Sequence, residues 1–358
     1  MLFRSPFGIA PMGITALSAY RGDLVLARAA ARAGVPMIVS GASLIRLEDI
    51  IAVNPDAWFQ AYLPGDPAKT EALVARIASA GYRTLVITVD TPVSANRENN
   101  VRAGFSTPLR PSLRLAWEGI THPRWLIGTF ARTLIRHGMP HFENSYAQRG
   151  APIVSPDAVR DNSDRGYMNW HLFERVRKLW KGRILVKGVM DARDAVMARD
   201  LGAQGIILSN HGGRQLDGTV SPLRVLPAVV AACPDLPVMI DSGIRRGTDL
   251  VKALALGADA VGVVFYRGSA RSVTIEQAQA IRGAVSGLGM MVGLFVDPSA
   301  EEVEAVLEAV PLNLLQFHGK ESPVFCGQFG RPYLKAIPMS ADVNLAWEAE
   351  RFHTASAL

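Results

Sequence analysis

The chain has 358 residues, 49% of them hydrophobic, with 38 basic and 32 acidic side chains and a net charge of +6. That much apolar material fits one large α/β barrel or two smaller domains. Its two cysteines, Cys233 and Cys326, lie far apart without metal-ligand spacing, so a reduced compartment with no disulfide framework and no metal is expected; no signal peptide, membrane-spanning run or recurrent basic and aromatic stripe for nucleic acid is read either.

In chain order, short β-branched runs alternate with helical periodicity. Strands are predicted at Phe7–Ala10, Met37–Val39, Trp58–Leu63, Thr84–Val89, Ile184–Val189, Gly205–Ser209, Val238–Asp241 and Ala260–Phe265. Helices are predicted at Leu24–Ala33, Lys69–Ala80, Ala192–Leu201 and Leu223–Ala232. Gly34, Gly81, Gly202 and Gly257 come directly after helical runs, where a left-handed residue leads into the next strand. Eight such units predict a (β/α)₈ TIM barrel with its chemistry at the strand C-termini. Polar residues gather at those ends: Pro11-Met12-Gly13, Ser40-Gly41, Gln60 with Tyr62, Thr88 with Asp90, Lys187-Gly188, His211 with Arg214, and Asp241-Ser242-Gly243 with Arg245. Polar groups on apolar strands are costly unless used or satisfied. One set could be ordinary barrel polarity; seven converging sets make a site.

The most informative segment is Asn210-His211-Gly212-Gly213-Arg214-Gln215-Leu216-Asp217-Gly218, directly after the apolar run Gly205–Ser209. It sets a base and a fixed guanidinium fork on one glycine-rich loop, which suits a small carboxylate that must lose a proton. A turn whose histidine only satisfies backbone groups is the plainer alternative.

Residues from about Phe3 to Ala260 resemble the FMN-dependent α-hydroxy acid dehydrogenase and oxidase family, which includes lactate, glycolate and mandelate enzymes. The likeness runs through Ile9-Ala10-Pro11, Phe59-Gln60-Ala61-Tyr62, Thr88-Val89-Asp90-Thr91-Pro92, Leu185-Val186-Lys187-Gly188, the His211 loop and Asp241-Ser242-Gly243-Ile244-Arg245-Arg246-Gly247. It implies oxidation of a small 2-hydroxy acid to the 2-oxo acid with FMN as cofactor and a quinone or dioxygen as electron acceptor. It also implies roles for single residues. Ala10, Pro11, Met12, Ser40, Gln60 and Thr88 would hold the isoalloxazine ring, and Lys187 would stabilise charge on the reduced ring. Asp241, Gly243 and Arg245 would hold the ribityl chain and phosphate. Arg214 and Arg97 would grip the substrate carboxylate, and Tyr62 would bond its hydroxyl oxygen. His211 would take a proton, and Asp90 would stabilise the resulting imidazolium. Whether that proton comes from the α-carbon or the hydroxyl stays open.

The chain departs from that pattern in three places. Met1 lies almost against the first strand, so a helical segment that precedes it in the family is expected to be missing. After the eighth strand, Tyr266-Arg267-Gly268 stands out of register with a Gly-Arg pair that binds phosphate in the family. Beyond it, Gly257–Tyr266, Ser269-Ala270-Arg271, Val292–Pro298, Leu315–Gly319 and Arg331–Ala336 resemble phosphoribosylanthranilate isomerase, another barrel family. That enzyme needs a cysteine base on its first strand and an aspartate acid on its sixth, and neither strand is read here, so isomerase activity is not expected. His318 reads as a structural strand-end residue.

Domains are therefore expected at 1–265 and 266–358. Ala260–Phe265 would close the first barrel, leaving strands near Met291–Val296, Leu312–Phe317 and Tyr333–Ile337 surplus, with helices at Ile275–Val285 and Ala300–Ala309. An isomerase-related protein of tryptophan biosynthesis and an inactive chimeric barrel are the alternatives. Between Pro92 and Arg165 stand ten arginines and six acids. Within that stretch Leu126, Phe130 and Leu134 share one helical face, and Arg132 and Arg136 another. Such a helix would lie in a membrane interface or simply cover the protein. The expected setting is cytoplasmic, with peripheral contact on the inner face of the plasma membrane through 92–165, and a homo-oligomer.

Overall fold

The computed structural model describes residues 8–93, 95, 97–104, 109–155, 168–244, 253, 256–257, 260–264, 274–276, 279, 290–337 and 344–356. The chain divides into two compact units, Met1–Ser242 and Gly243–Leu358.

In the first unit, β1 (Ile38–Ser40), β2 (Trp58–Ala61), β3 (Thr84–Thr88), β4 (Arg183–Val189), β5 (Ile206–Leu208) and β6 (Val238–Ile240) form one parallel sheet in sequence order. The predicted first strand contracts to a single parallel bridge between Ile9 and Met37. Helices Gly22–Ala33, Leu47–Val53, Pro67–Ser79, Trp170–Leu179, Ala192–Asp200 and Pro222–Ala232 connect the strands. This is the curled, singly wound sheet of the (β/α)₈ class, as a partial barrel.

Side chains alternate across the sheet with period two. Ile38, Trp58, Val86, Leu185, Ile207 and Met239 pack as one apolar layer on one face. On the other, Phe59, Leu85, Ile87, Ile184, Val186, Ile206 and Leu208 are each 0% exposed, as are the helix residues Leu73, Ile77, Phe173, Val176, Leu226 and Val229. Burying each such large side chain contributes about 1.5–3 kcal/mol. The helix ends are set locally. Asp66 accepts from the backbone N–H of Ala68 at 2.8 Å, with Pro67 as the first helical residue. The four glycines expected after helices, Gly34, Gly81, Gly202 and Gly257, all have positive φ.

In the second unit, β7 (Ala260–Val264), β8 (Met290–Phe295), β9 (Leu314–Phe317) and β10 (Tyr333–Lys335) form a parallel sheet in the order β10-β9-β8-β7. Here the structure differs from expectation. The segment read as the closing strand of the first barrel runs beside Met290–Phe295, with Ala260 opposite Met290 and Val264 opposite Leu294. It shares its sheet with the three strands read as surplus, and their apolar faces are buried there. Ala300–Ala309 is helical as expected, started by a reciprocal cap between Ser299 and Glu302. Most of the helix predicted at 275–285 lies outside the described residues.

Phe317 is 0% exposed and meets the rings of Phe295, Phe325, Phe329 and Tyr333 at centroid distances of 5.9, 5.9, 6.1 and 6.3 Å. At the C-terminal ends of β9 and β10 the Lys335 ammonium pairs with Glu321 at 3.1 Å and donates to the carbonyl of Gly319 at 2.7 Å. The other Glu321 oxygen accepts from the N–H groups of Asp297 and Gly319. This buried ion pair and the Oε1 hydrogen bonds tie the loops after β8, β9 and β10 together. The His318 backbone N–H continues the ladder to Phe295, in keeping with a structural role.

Candidate active site

One step beyond the apolar layer, on the same face, each strand of the first sheet delivers a polar residue. Ser40, Gln60, Thr88 and Lys187 lie two positions after Ile38, Trp58, Val86 and Leu185; Ser209 and Asp241 come after Ile207 and Met239 in the same phase. Strand pairing sets Ser40 opposite Gln60 and Thr88 opposite Lys187. Ser40, Gln60, Thr88, Lys187 and Ser209 are all buried. The period-two phase alone could have found Ser209; sequence reasoning took it only as the end of a strand.

Lys187 organises this layer. Its ammonium donates to the Ser209 hydroxyl at 2.9 Å, pairs with Asp241 at 3.1 Å and stands 3.9 Å from Asp90 Oδ2. The β4–β5 ladder slips between Lys187 and Val189, a bulge of the kind that re-aims side chains beside functional sites. Gly188 sits in that bulge with φ +104°, and a Cβ there would come within 2.6 Å of the Cβ of Asp90. Only glycine lets Asp90 lie over the strand.

His211 Nδ1 meets Asp90 Oδ1 at 2.9 Å. Because the carboxylate can only accept, Nδ1 is the donor of this bond. His211 (φ +57°) and Ser242 (φ +74°) are in left-handed conformations that cost about 1–3 kcal/mol each unless the surroundings enforce them. The enforcing bonds are visible. The His211 N–H donates to Ser209 Oγ at 3.1 Å, the Gly212 N–H to Ser242 Oγ at 2.9 Å, and the Ser242 hydroxyl to Asp241 Oδ1 at 2.9 Å. Asn210 accepts from the Gly213 N–H and donates to the Val220 carbonyl, closing the loop. Ser242 was named in the sequence only within the Asp241-Ser242-Gly243 set, and this geometry gives it a role.

The other expected residues differ in exposure and local setting. Arg214 is exposed at the end of the His211 turn, and the next residue, Gln215, hydrogen-bonds the Val93 carbonyl. Tyr62 is half-buried beside Gly41. Arg97 is half-buried just before the short helix Glu98–Arg102. Ala10 and Met12 are exposed and Pro11 half-buried beyond the Ile9 bridge. Gly243 has φ +81°. Arg245, Arg267 and Gly268 lie outside the described residues.

Two buried polar atoms in the layer lack a hydrogen-bond partner among the described residues: Gln60 Nε2 and Thr88 Oγ1. The other Gln60 amide atom, Oε1, accepts from Ser40 Oγ and from the Gly41 N–H, both at 3.3 Å. An unfilled buried donor costs about 1–3 kcal/mol. These donors, with Lys187 beside them, suit a flat heterocycle bearing carbonyl oxygens, which the isoalloxazine ring provides.

Residues 2–270 match the family described as FMN-dependent dehydrogenase, and residues 240–358 match N-(5'phosphoribosyl)anthranilate (PRA) isomerase. The chain is 40% identical over 257 residues to (S)-mandelate dehydrogenase of Pseudomonas putida, a stretch that is 72% of this chain and 64% of that one. It is 40% identical over 261 residues to L-lactate dehydrogenase of Pseudomonas entomophila (strain L48), covering 72% of this chain and 67% of the relative. Among solved structures, that of the monotopic membrane protein (S)-mandelate dehydrogenase superposes with a TM-score of 0.66 at 35% identity, over 86% of this chain and 75% of that one. The chain thus spans somewhat less than two thirds of the mandelate dehydrogenase.

Proposed function

We propose, from the premise that this chain belongs to the family of FMN-dependent dehydrogenases, that it oxidises a small L-2-hydroxy acid of the lactate or mandelate type to the 2-oxo acid. FMN is the cofactor that this membership carries. The observation that bears most weight is the His211–Asp90 pair at 2.9 Å, set beside a buried layer with unfilled donors.

When bound, FMN takes up the two electrons that the substrate gives up. Gln60, Thr88, Ser40, Lys187 and the backbone of Ala10–Met12 would hold its ring, and Asp241, Gly243 and Arg245 its ribityl phosphate. Arg214, with Arg97, binds the substrate carboxylate through charge-assisted hydrogen bonds. Tyr62 orients the oxygen that becomes the carbonyl. His211 Nε2 receives the substrate proton, and Asp90 balances the imidazolium that forms. The Lys187 ammonium stands between Asp90 and Asp241 and holds both carboxylates in place for that task. A quinone or dioxygen takes the electrons on.

The dehydrogenase part occupies 1–265 and the isomerase-like part 266–358 in this reading. The isomerase-related alternative is the weaker one, because no acid and base pair of that enzyme is read in the chain. The protein works as a cytoplasmic homo-oligomer that touches the inner face of the plasma membrane through 92–165. An outward apolar row at Leu113, Trp117 and Ile120 supports the membrane contact.

The test is spectroscopic. Purified protein should carry a flavin band that L-lactate or (S)-mandelate bleaches without air. His211→Gln should keep FMN and slow bleaching by about 10²–10⁴-fold. A colourless protein that FMN cannot reconstitute, or unchanged bleaching in the variant, overturns the reading.

A further inference from the structure

At the opposite ends of the strands, where β3, β4 and β5 begin, an open cavity of about 620 Å³ is lined by Arg83, Arg177, Lys181 and Arg183, with Gly202 and Gln204 at its edge. That volume is in the range of small-ligand sites, about 300–1,000 Å³. Four of the lining side chains are cationic, and none is acidic.

Their present engagements differ. The Arg177 guanidinium is occupied by backbone carbonyls at the end of its helix, those of Trp180 and Gly182, and by Gln204 Oε1. Lys181 donates to the Lys178 carbonyl at 3.0 Å. The guanidinium groups of Arg83 and Arg183 have no hydrogen-bond or ion-pair partner among the described residues. Both are rooted firmly. The Arg183 N–H donates to the Arg83 carbonyl at 2.9 Å, and the buried Trp180 indole donates to the Arg183 carbonyl at 2.8 Å. A Cβ on Gly182 would lie 2.3 Å from the Arg83 carbonyl oxygen, so glycine keeps the two roots adjacent.

Two unspent guanidinium forks held side by side, with two further cations beside them, repel one another until an anion joins them. Guanidinium forks match the oxygens of phosphate groups in pairs. We propose that this cleft binds a diphosphate group, either as the inorganic anion or carried by a nucleoside. Its charge of two to three suits the set better than a single carboxylate does. The site lies at the far ends of the strands from His211, and it stands whether or not the flavin reading does.

The experiment is calorimetric titration of the full chain, as purified, with sodium pyrophosphate and separately with ADP, at constant ionic strength. One saturable site is expected, weakened at least tenfold in the Arg83→Gln/Arg183→Gln double variant, with any flavin band unaltered. Lys181→Gln, at an exposed position, should weaken binding at least threefold and gives a second reading should the double variant fold poorly. Tighter binding of ADP identifies a nucleoside diphosphate, and equal affinities identify the inorganic anion. Heats that never saturate, or affinities unmoved by either substitution, overturn the proposal.

Discussion

Asp23 is 2% exposed at the start of the helix Gly22–Ala33, and its Oδ2 has no hydrogen-bond partner among the described residues. Burial raises its pKa, and nearby hydrogen bonds such as that of Ser43 offset this only in part. A carboxyl raised in this way binds its proton more readily in the folded chain. Its effect on stability is therefore most favourable below the ordinary carboxyl value and is lost as pH rises through the raised one. Asp23→Asn should raise the thermal midpoint at pH 7, and the gain should shrink toward zero near pH 4; an equal gain at both would refute the assignment. At this scale the sequence was legible where the reason for a residue is chemical. His211, Asp90 and Lys187 could be read from their strand-end positions, and they do meet. Gly188 could be quoted within a motif, but its reason is a neighbour just past the end of the adjacent strand, Asp90, which no local pattern contains.

Between residues and the whole lies the segment from Pro92 to Ser155. Sequence periodicity picked Leu126, Phe130 and Leu134 as its apolar face, for lipid or for protein. All three are half-buried. Trp125 Nε1 donates to the Leu17 carbonyl at 2.7 Å and its ring stacks on Phe130 at 5.6 Å, so this face serves as cover. The outward row falls one helix earlier. Leu113 and Trp117 on Leu113–Thr121 are 92% and 66% exposed, one helical turn apart. Arg110, Arg114 and Arg124 border them, the combination that seats a helix in an anionic interface. Leu113→Glu/Trp117→Glu should cut co-sedimentation with phosphatidylglycerol vesicles at least tenfold, while phosphatidylcholine vesicles should bind weakly throughout. Equal sedimentation of variant and parent would remove this surface from consideration. The distinction was invisible in sequence because both rows are amphipathic, and only contact with Leu17 separates them. The return of the segment is also tertiary: Asn144 accepts from the Leu47 N–H at 2.9 Å and donates to the Ile45 carbonyl at 2.7 Å.

For the molecule as a whole, strand positions were legible and strand partnership at the junction was not. Ala260–Val264 has the composition of a barrel strand in either family, and a backbone ladder accepts any parallel neighbour of suitable twist. Its place beside Met290–Phe295 is set by the strands on its C-terminal side, which extend the same sheet through Leu314–Phe317 and Tyr333–Lys335. The second unit has its own aromatic core, and Phe317 is central to it. Phe317→Ala should destabilise that unit by about 3–5 kcal/mol, read as a shift in the denaturant midpoint monitored by near-ultraviolet circular dichroism. A shift under about 1 kcal/mol would show that the ring cluster is not what holds the four strands.

Both sheets lay their strands down in the order in which the chain is synthesised. Each described strand pairs with its neighbour in chain order, even where, as between Thr88 and Arg183, a long segment intervenes. Assembly of this kind resembles laying planks, and because closure cost grows only slowly with loop length, even the long excursion before Arg183 adds little. Within each unit every new plank needs only the edge of the last, and at Ala260 a second stack begins on its own.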